Sequence, residues 1–453
     1  MLTQLSVTNF KSWTQIDKMR LAPITGLFGT NSSGKTSILQ LLLMLKQTTE
    51  SSDRAQVLDF GTERSLTSLG SFQEMIHGHA IDQPLGVRLA WDQDELTIKD
   101  PLKKGQTLFS GRSLTFEMQV AGNGTRGSAV EQFSYGLGNN RFTMTRKGST
   151  GSKYKIDTET DNDFRLTRAQ GRAWPLPSPI KCYGFPDQVY AYYQNAGFLA
   201  DLQLALEQMF QRVYYLGPLR DSPRRDYRWT GGEPSDMGRR GERAIDAILA
   251  KRQEGRYISP GFRKKRLSLE ERLALWLKEL GLIHSFEVET IAEGGDLYRV
   301  RVQRSPESAK VLITDVGFGV SQILPVLVLC YYVPKGSTIL LEQPEIHLHP
   351  SVQSGLADVF IDVVKNRNVQ VIFESHSEHL LRRLQRRLAE ELLTPEQFAL
   401  YFCDVCGTGS RLTELDVDLY GSIKNWPKDF FGDEFGEMAA ITEAAAKRQQ
   451  NKA

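Results

Sequence analysis

The sequence predicts an α/β protein whose parallel sheet is assembled from both ends of the chain, with a β-rich and then helical, arginine-rich middle inserted between them. Three observations predict this. Near the start, a short apolar strand (Ile24 to Phe28) enters a glycine-rich loop and then a leucine-rich helix, about Lys35 to Gln47. Near the end, strand and helix patterns alternate. Between them, residues 86–170 carry short alternating segments broken by Gly, Asn and Ser, the mark of antiparallel sheet.

Each element follows from its own residues. Leu2 to Phe10 alternates as a strand. Residues 196–212 (AGFLADLQLALEQMFQR) suit an amphipathic helix. In SLEERLALWLKELG, Ser268 caps a helix, Glu271 closes a capping box and Gly281 ends it. Strands are expected at Phe286–Thr290 and Leu297–Gln303. Then come a helix (Ser321–Tyr331), a strand (Thr338–Leu341), a helix (Ser351–Lys365), a strand (Gln370–Phe373) and a helix (Glu378–Glu391). Five segments are expected. They are an N-terminal half with the glycine-rich loop (1–95), a β-rich lobe (96–195), a helical and Arg-rich insertion (196–285), a C-terminal half (286–400), and a hairpin with tail (401–453).

Composition sets bounds. The chain has 453 residues, 40% apolar content and a net charge of +2, so it can bury a core and is not a basic nucleic-acid coat. Four cysteines in this length point to a reducing compartment, and the start carries no secretory pattern. The longest apolar run, Ile323 to Val333, is about half of a bilayer span. A cytoplasmic protein is expected.

The chemistry concentrates in a few stretches. GTNSSGKT (Gly29 to Thr36) has the spacing of a phosphate-binding loop between strand and helix. Its glycines let backbone N–H groups turn inward, and the helix N-terminus adds positive charge. Asn31, Ser32, Ser33, Gly34, Lys35, Thr36 and Ser37 are the expected cradle. Lys35 would reach the β- and γ-phosphates of ATP, and Thr36 would hold Mg²⁺. In TILLEQPE, Glu342 ends a strand, where it would orient the metal through water. Gly317, Gly319 and Ser321 in DVGFGVSQ precede a helix, a second anion-binding terminus. His376 lies just past a strand in FESHSEHL. Cys403 and Cys406 lack a second pair of ligands for zinc. Asp416 and Asp418 look like alternate positions on one strand. From Arg212 to Arg266 cations crowd: Arg220, Arg224, Arg225, Arg228, Arg239, Arg240, Arg263, Lys264, Lys265 and Arg266, with Tyr227 and Trp229 among them. Such a mixture suits nucleic-acid contact, or a solvated or subunit-bridging loop diluted by Asp221, Asp226, Glu233 and Asp236.

The order and spacing of these stretches resemble ABC-type ATPases. NFKSW, FGTNSSGKTS, EQPEIHLHP and ESHSEHLL are similar to segments of the Rad50/SMC/RecF and OLD-like branch. YYLGPLRDSPRRDYRWTGG and DVDLYGSIKNWPKDFF look like a prokaryotic subfamily found in anti-phage defence, with the Septu ATPase a possible relative. The resemblance implies an ATPase head in which Lys11 touches phosphate and Gln73 serves the metal. It implies that Gly317, Gly319 and Ser321 reach the γ-phosphate of a second subunit, that His376 senses it, and that two chains pair head to tail.

Two departures stand out. The usual catalytic glutamate position holds Gln343, which orients water but takes no proton. Glu345, two residues on, is the alternative. The stretch after His376 is too short for the Toprim nuclease domain of OLD-like proteins. Three functions stay open. One is a slow, dimeric ATPase gating a co-encoded nuclease or toxin in anti-phage defence. Another is a DNA-repair or recombination ATPase that binds DNA itself. The third is a non-hydrolysing nucleotide-occupancy scaffold.

Overall fold

The computed structural model describes residues 1–453 except 101–104, 124–126, 149–152, 163, 170, 172–173, 260–264, 293, 428–429, 431–433 and 451–453. Its central sheet has six strands, in the order Gly409–Glu414, Phe398–Cys406, Ile24–Gly29, Gln370–Glu374, Thr338–Glu342 and Val213–Leu216. All neighbours are parallel except the outer hairpin. The inner strands are apolar on both faces, as a sheet covered on both sides requires. Leu27, Leu340, Ile372 and Tyr401 face one core, which also holds the helix Lys35–Glu50. Ile339, Leu341, Val371 and Phe373 face the other core, under the helices Phe318–Tyr332, Pro350–Arg367 and Glu378–Ala389.

The expected α/β class is what the structure shows, with two shifts in organisation. The antiparallel sheet has seven strands, in the order Trp13–Arg20, Leu2–Phe10, Leu85–Lys99, Thr107–Asn123, Gly127–Leu137, Asn140–Arg146 and Tyr154–Glu159. It therefore starts at residue 2, and the expected boundary at 95 falls inside a strand. The cause is local. Lys11 and Ser12 alone join the first two strands, and so short a link permits only antiparallel pairing. The second shift is Val213–Leu216, which lies in the expected insertion yet forms the edge of the central sheet. A four-residue run is too short to announce itself.

Ser268 and Glu271 form the expected capping box on the helix Leu269–Glu279. The strands Ser285–Thr290 and Leu297–Gln303 pair with each other, and Tyr227–Arg228 joins their sheet. Asp418 is in a turn rather than on a strand, accepting from the N–H groups of Tyr420 and Ser422 at 2.9 Å each. Among the described residues, no helix is long and apolar enough to cross a membrane.

One buried side chain ties the two large sheets together. Gln370 Nε2 donates to Leu2 O (2.7 Å) and Ala22 O (3.1 Å), while its Oε1 accepts from Leu2 N (3.1 Å) and Thr338 Oγ1 (2.9 Å). Gln370→Met keeps the volume and leaves these backbone groups unpaired. It is expected to lower unfolding free energy by about 3 kcal/mol in denaturant titration, since each orphaned buried group costs roughly 1–3 kcal/mol. A loss below about 1 kcal/mol would contradict this role.

Candidate functional site

The site lies at the C-terminal edge of the parallel strands, where open α/β sheets place their ligands. Backbone geometry fixes the loop first. Gly29 has φ +132°, and a Cβ there would lie 2.0 Å from the carbonyl oxygen of Cys403. Gly34 has φ +87°, with Ser12 Oγ only 2.5 Å from where its Cβ would be. Trp13 Nε1 donates to Gly34 O at 3.0 Å. The loop is thus pressed between the N-terminal hairpin and the C-terminal one. Among the described residues, the N–H groups of Asn31, Ser32, Ser33 and Gly34 have no acceptor in the protein. The helix Lys35–Glu50 has no side-chain cap, which leaves its positive end free. Ser33 Oγ donates to Thr30 O at 2.8 Å, and Ser37 is buried in the first turn. Lys35 is buried and donates to Thr30 O (2.6 Å) and Gly29 O (3.2 Å), so its charge rests on the loop's own carbonyls. Burial pushes its ammonium below the ordinary value, with Glu374 and Cys403 opposing.

Three buried carboxylates line the strand ends. Glu342 and Glu374 are register partners on adjacent parallel strands. Thr36 Oγ1 donates to Glu374 Oε2 at 2.7 Å, and Tyr215 OH donates to Glu342 Oε1 at 2.9 Å. Glu345 accepts the His376 N–H at 2.7 Å through Oε1, while its Oε2 has no partner. Burial and the Glu374 charge push Glu342 up to about 7, against Tyr215, Arg220 and Lys11. Burial also raises Glu374 and Glu345. The counter-charges are Lys35, Lys11 and Arg220. Lys11 has φ +51°, and its ammonium bonds Gln40 Oε1.

Glu374 escaped the sequence reading, although an acid ends the apolar run Val371–Phe373 just as Glu342 ends Thr338–Leu341. Gln343 is in a turn at φ +43°, and its N–H donates to Glu374 O at 2.9 Å. Gln73 is exposed on the short helix Phe72–Met75 and, among the described residues, has no hydrogen bond to Thr36, Glu342 or Glu374. A divalent ion and a nucleotide fit what remains: unpaired loop N–H groups above an all-oxygen set of Thr36, Glu374 and Glu342. Among the described residues no three His, Cys, Asp or Glu side chains converge on one metal. Mg²⁺ held here would complete its shell with phosphate oxygens and water.

Gly317, Gly319 and Ser321 start the helix Phe318–Tyr332. Phe318 is 54% exposed, and its ring meets His347 edge-on at 5.4 Å. Ser321 is buried and its hydroxyl turns back to Phe318 O at 2.8 Å. Among the described residues, no hydrogen bond links these three to the Gly29–Thr36 loop of the same chain. The His376 side chain faces out. Partial burial and the Lys35 charge lower its pKa.

The arginine-rich stretch is corrected in part. Arg220 is 6% exposed, beside Glu342 and Glu345, and belongs to no outer surface. Arg224, Arg225 and Arg228 are exposed but pair with Asp221 (3.0 Å), Asp315 (3.2 Å) and Asp296 (2.6 Å). Such pairs stabilise little, yet they cancel the local positive field. Arg263 and Lys264 lie outside the described residues. Cys403 is buried behind the loop and Cys406 is exposed.

Residues 259–381 match the model of an AAA ATPase domain, and residues 393–441 that of a protein family of unknown function, DUF3696. No curated protein matches the chain in sequence. Among solved structures, the chain is similar to the SMC head domain from Thermotoga maritima. The identity is 11% and the TM-score 0.42, over 92% of this chain and 99% of that one. A SmcHead bound to the C-winged helix domain of ScpA gives 9% and 0.44, over 91% and 98%. The Smc head domain bound to the C-terminal domain of ScpA derived from Pyrococcus furiosus gives 9% and 0.42, over 91% and 96%.

The raised carboxyl of Glu342 has a measurable sign. Its folded form holds a proton that the unfolded chain releases near pH 4.5, so stability falls as pH rises from about 4.5 to about 7. Without metal or nucleotide, Glu342→Gln is expected to flatten that part of the stability–pH curve, gaining roughly 2–3 kcal/mol at pH 8 relative to pH 4.5. Identical curves for mutant and parent would refute the burial account of Glu342.

Proposed function

We propose that this chain binds ATP with Mg²⁺ at the Gly29–Thr36 loop and hydrolyses it slowly. The observation that carries the reading is the 2.7 Å bond from Thr36 to Glu374, beneath loop N–H groups without acceptors and beside a carboxylate with one free oxygen. The AAA ATPase match over residues 259–381 supports it, since that stretch contains the strand of Glu342. Asn31 to Ser37 receive the phosphates. Lys35 moves its donors from the loop carbonyls to phosphate oxygens, and Lys11 adds a second cation. Bound Mg²⁺ would supply charge neutralisation to the transferring phosphoryl group. Thr36, Glu374 and Glu342 would hold it.

Glu345 orients the attacking water. Gln343 is committed through its backbone to Glu374, and its amide is no base. His376 aligns Glu345 through its backbone N–H. Two chains pair so that the exposed start of the helix Phe318–Tyr332, with Gly317, Gly319 and Ser321, meets the nucleotide of the other. That pairing, and the gating of a nuclease or toxin in anti-phage defence, rest on the sequence resemblance. The acid-paired Arg224, Arg225 and Arg228 favour a structural or protein-contacting role over direct DNA binding.

Lys35→Ala is expected to abolish ATP binding in calorimetry, because the cradle loses its charge-assisted donor. Equal affinity in mutant and parent would refute the loop assignment. Turnover should be well under ~10 s⁻¹ in the parent. Glu345→Gln should lower it at least about tenfold with ATP affinity retained, as loss of a positioned proton acceptor does. A silent Glu345→Gln together with an inactive Gln343→Ala would transfer the water-orienting role to Gln343.

A further inference from the structure

Arg220 is 6% exposed, and Nε, Nη1 and Nη2 all lack an acceptor. An unsatisfied guanidinium is among the least favourable groups to bury. Its ionisable neighbours are the Tyr215 hydroxyl and the carboxyls of Glu342 and Glu345.

One neighbour carries the complementary defect. Glu345 Oε2 is buried and unpaired, while Oε1 is held by the backbone N–H of His376, and the Ser375 hydroxyl lies beside the same carboxyl. Glu342 accepts from Tyr215 through Oε1, and of the two only Glu345 has a fully buried oxygen without a partner. The pocket thus contains five unused donors and, on Glu345, a fully buried unused acceptor of opposite charge that they do not touch. The backbone around Arg220 is pinned. Gly217 N–H donates to Arg239 O at 2.7 Å and Asp221 N–H to Arg240 O at 2.9 Å. With both flanks held, the adjustable part is the side chain, or the turn that carries Glu345.

We propose that Arg220 is a positioning residue for hydrolysis: with nucleotide bound, its guanidinium engages Glu345 Oε2 and fixes that carboxylate toward the attacking water. The inference rests on the reading of Glu345 given above. A carboxylate oxygen has two lone-pair sites, so Oε2 accepts from Arg220 and still faces the water. With Oε1 held by the backbone N–H of His376 and Oε2 by Arg220, the orientation of the carboxylate becomes fixed. Lysine has one compact donor group and no fork, so it reproduces this only in part.

The test is a double-mutant cycle on the full chain with Mg·ATP. Arg220→Met is expected to lower kcat about 30-fold with KM within about threefold, the pattern of an interaction made in the transition state. Arg220→Lys should recover part of the loss. In a Glu345→Gln background, Arg220→Met should cost less than about threefold more, because groups acting as a unit are not additive. The nucleotide-free Tm of Arg220→Met should fall by no more than about 2 °C, since no hydrogen bond is lost.

Full additivity, parental turnover in Arg220→Met, or a larger fall in Tm each overturns the proposal. The two readings separate cleanly. A slow Glu345→Gln with a normal Arg220→Met sinks Arg220 alone. A normal Glu345→Gln sinks the Glu345 reading and this inference with it, and so does a parent that binds ATP without turnover.

Discussion

Glu342 and Glu374 stand side by side because their strands are parallel, adjacent and in register, and both end at the same edge. Neighbouring strands are about 4.8 Å apart, so two carboxylates there repel by about 3 kcal/mol at an effective dielectric of 20. Burial adds to that cost. The surroundings answer this constraint group by group. Thr36 donates to one acid and Tyr215 to the other. Lys11, Lys35 and Arg220 gather within electrostatic range. None of this neutralises the pair fully, and Glu342 stays near a pKa of about 7. A divalent cation is the economical remedy, and a phosphate chain on the adjacent loop would hold that cation in place.

The two halves of this arrangement come from distant parts of the chain. The loop and its lysine belong to residues 29–36, and the acids to 342–374. What unites them is the sheet. Ile24–Gly29 pairs with Gln370–Glu374 on one side and with Phe398–Cys406 on the other. The second pairing brings Cys403 O against Gly29, which is why no side chain is tolerated there. At the opposite ends of the same strands, Gln370 binds Leu2 and Ala22 and so joins the antiparallel sheet to the central one. Register at one edge therefore serves geometry at the other.

Local chemistry was legible in the sequence and long-range placement was not. The strand, glycine loop and helix around Gly29 to Thr36 were readable because their signals sit within a few residues. The capping box of Ser268 and Glu271 was readable for the same reason. Glu342 was found through the apolar run before it. Glu374 has the same signature, yet its value depends on strand order, and only the fold shows that it lies between Glu342 and the loop. The arginines misled for a related cause. Arg225 meets Asp315 and Arg228 meets Asp296, partners 90 and 68 residues away, so a basic stretch in the sequence becomes a set of ion pairs in space. Arg220, four residues from Arg224 and alike in composition, is turned inward instead.

The central claim is that the acid pair exists to receive a cation held by nucleotide. Its most direct measure is the proton balance of Mg·ATP binding, from calorimetry near pH 7 in buffers of different ionisation heat. Metal binding to a carboxyl of raised pKa must expel its proton, so the account predicts net release of up to roughly one proton per site, lost in Glu342→Gln. ATP with a chelator should release none. Binding of Mg·ATP with no proton release, or with release unchanged by Glu342→Gln, would contradict the account.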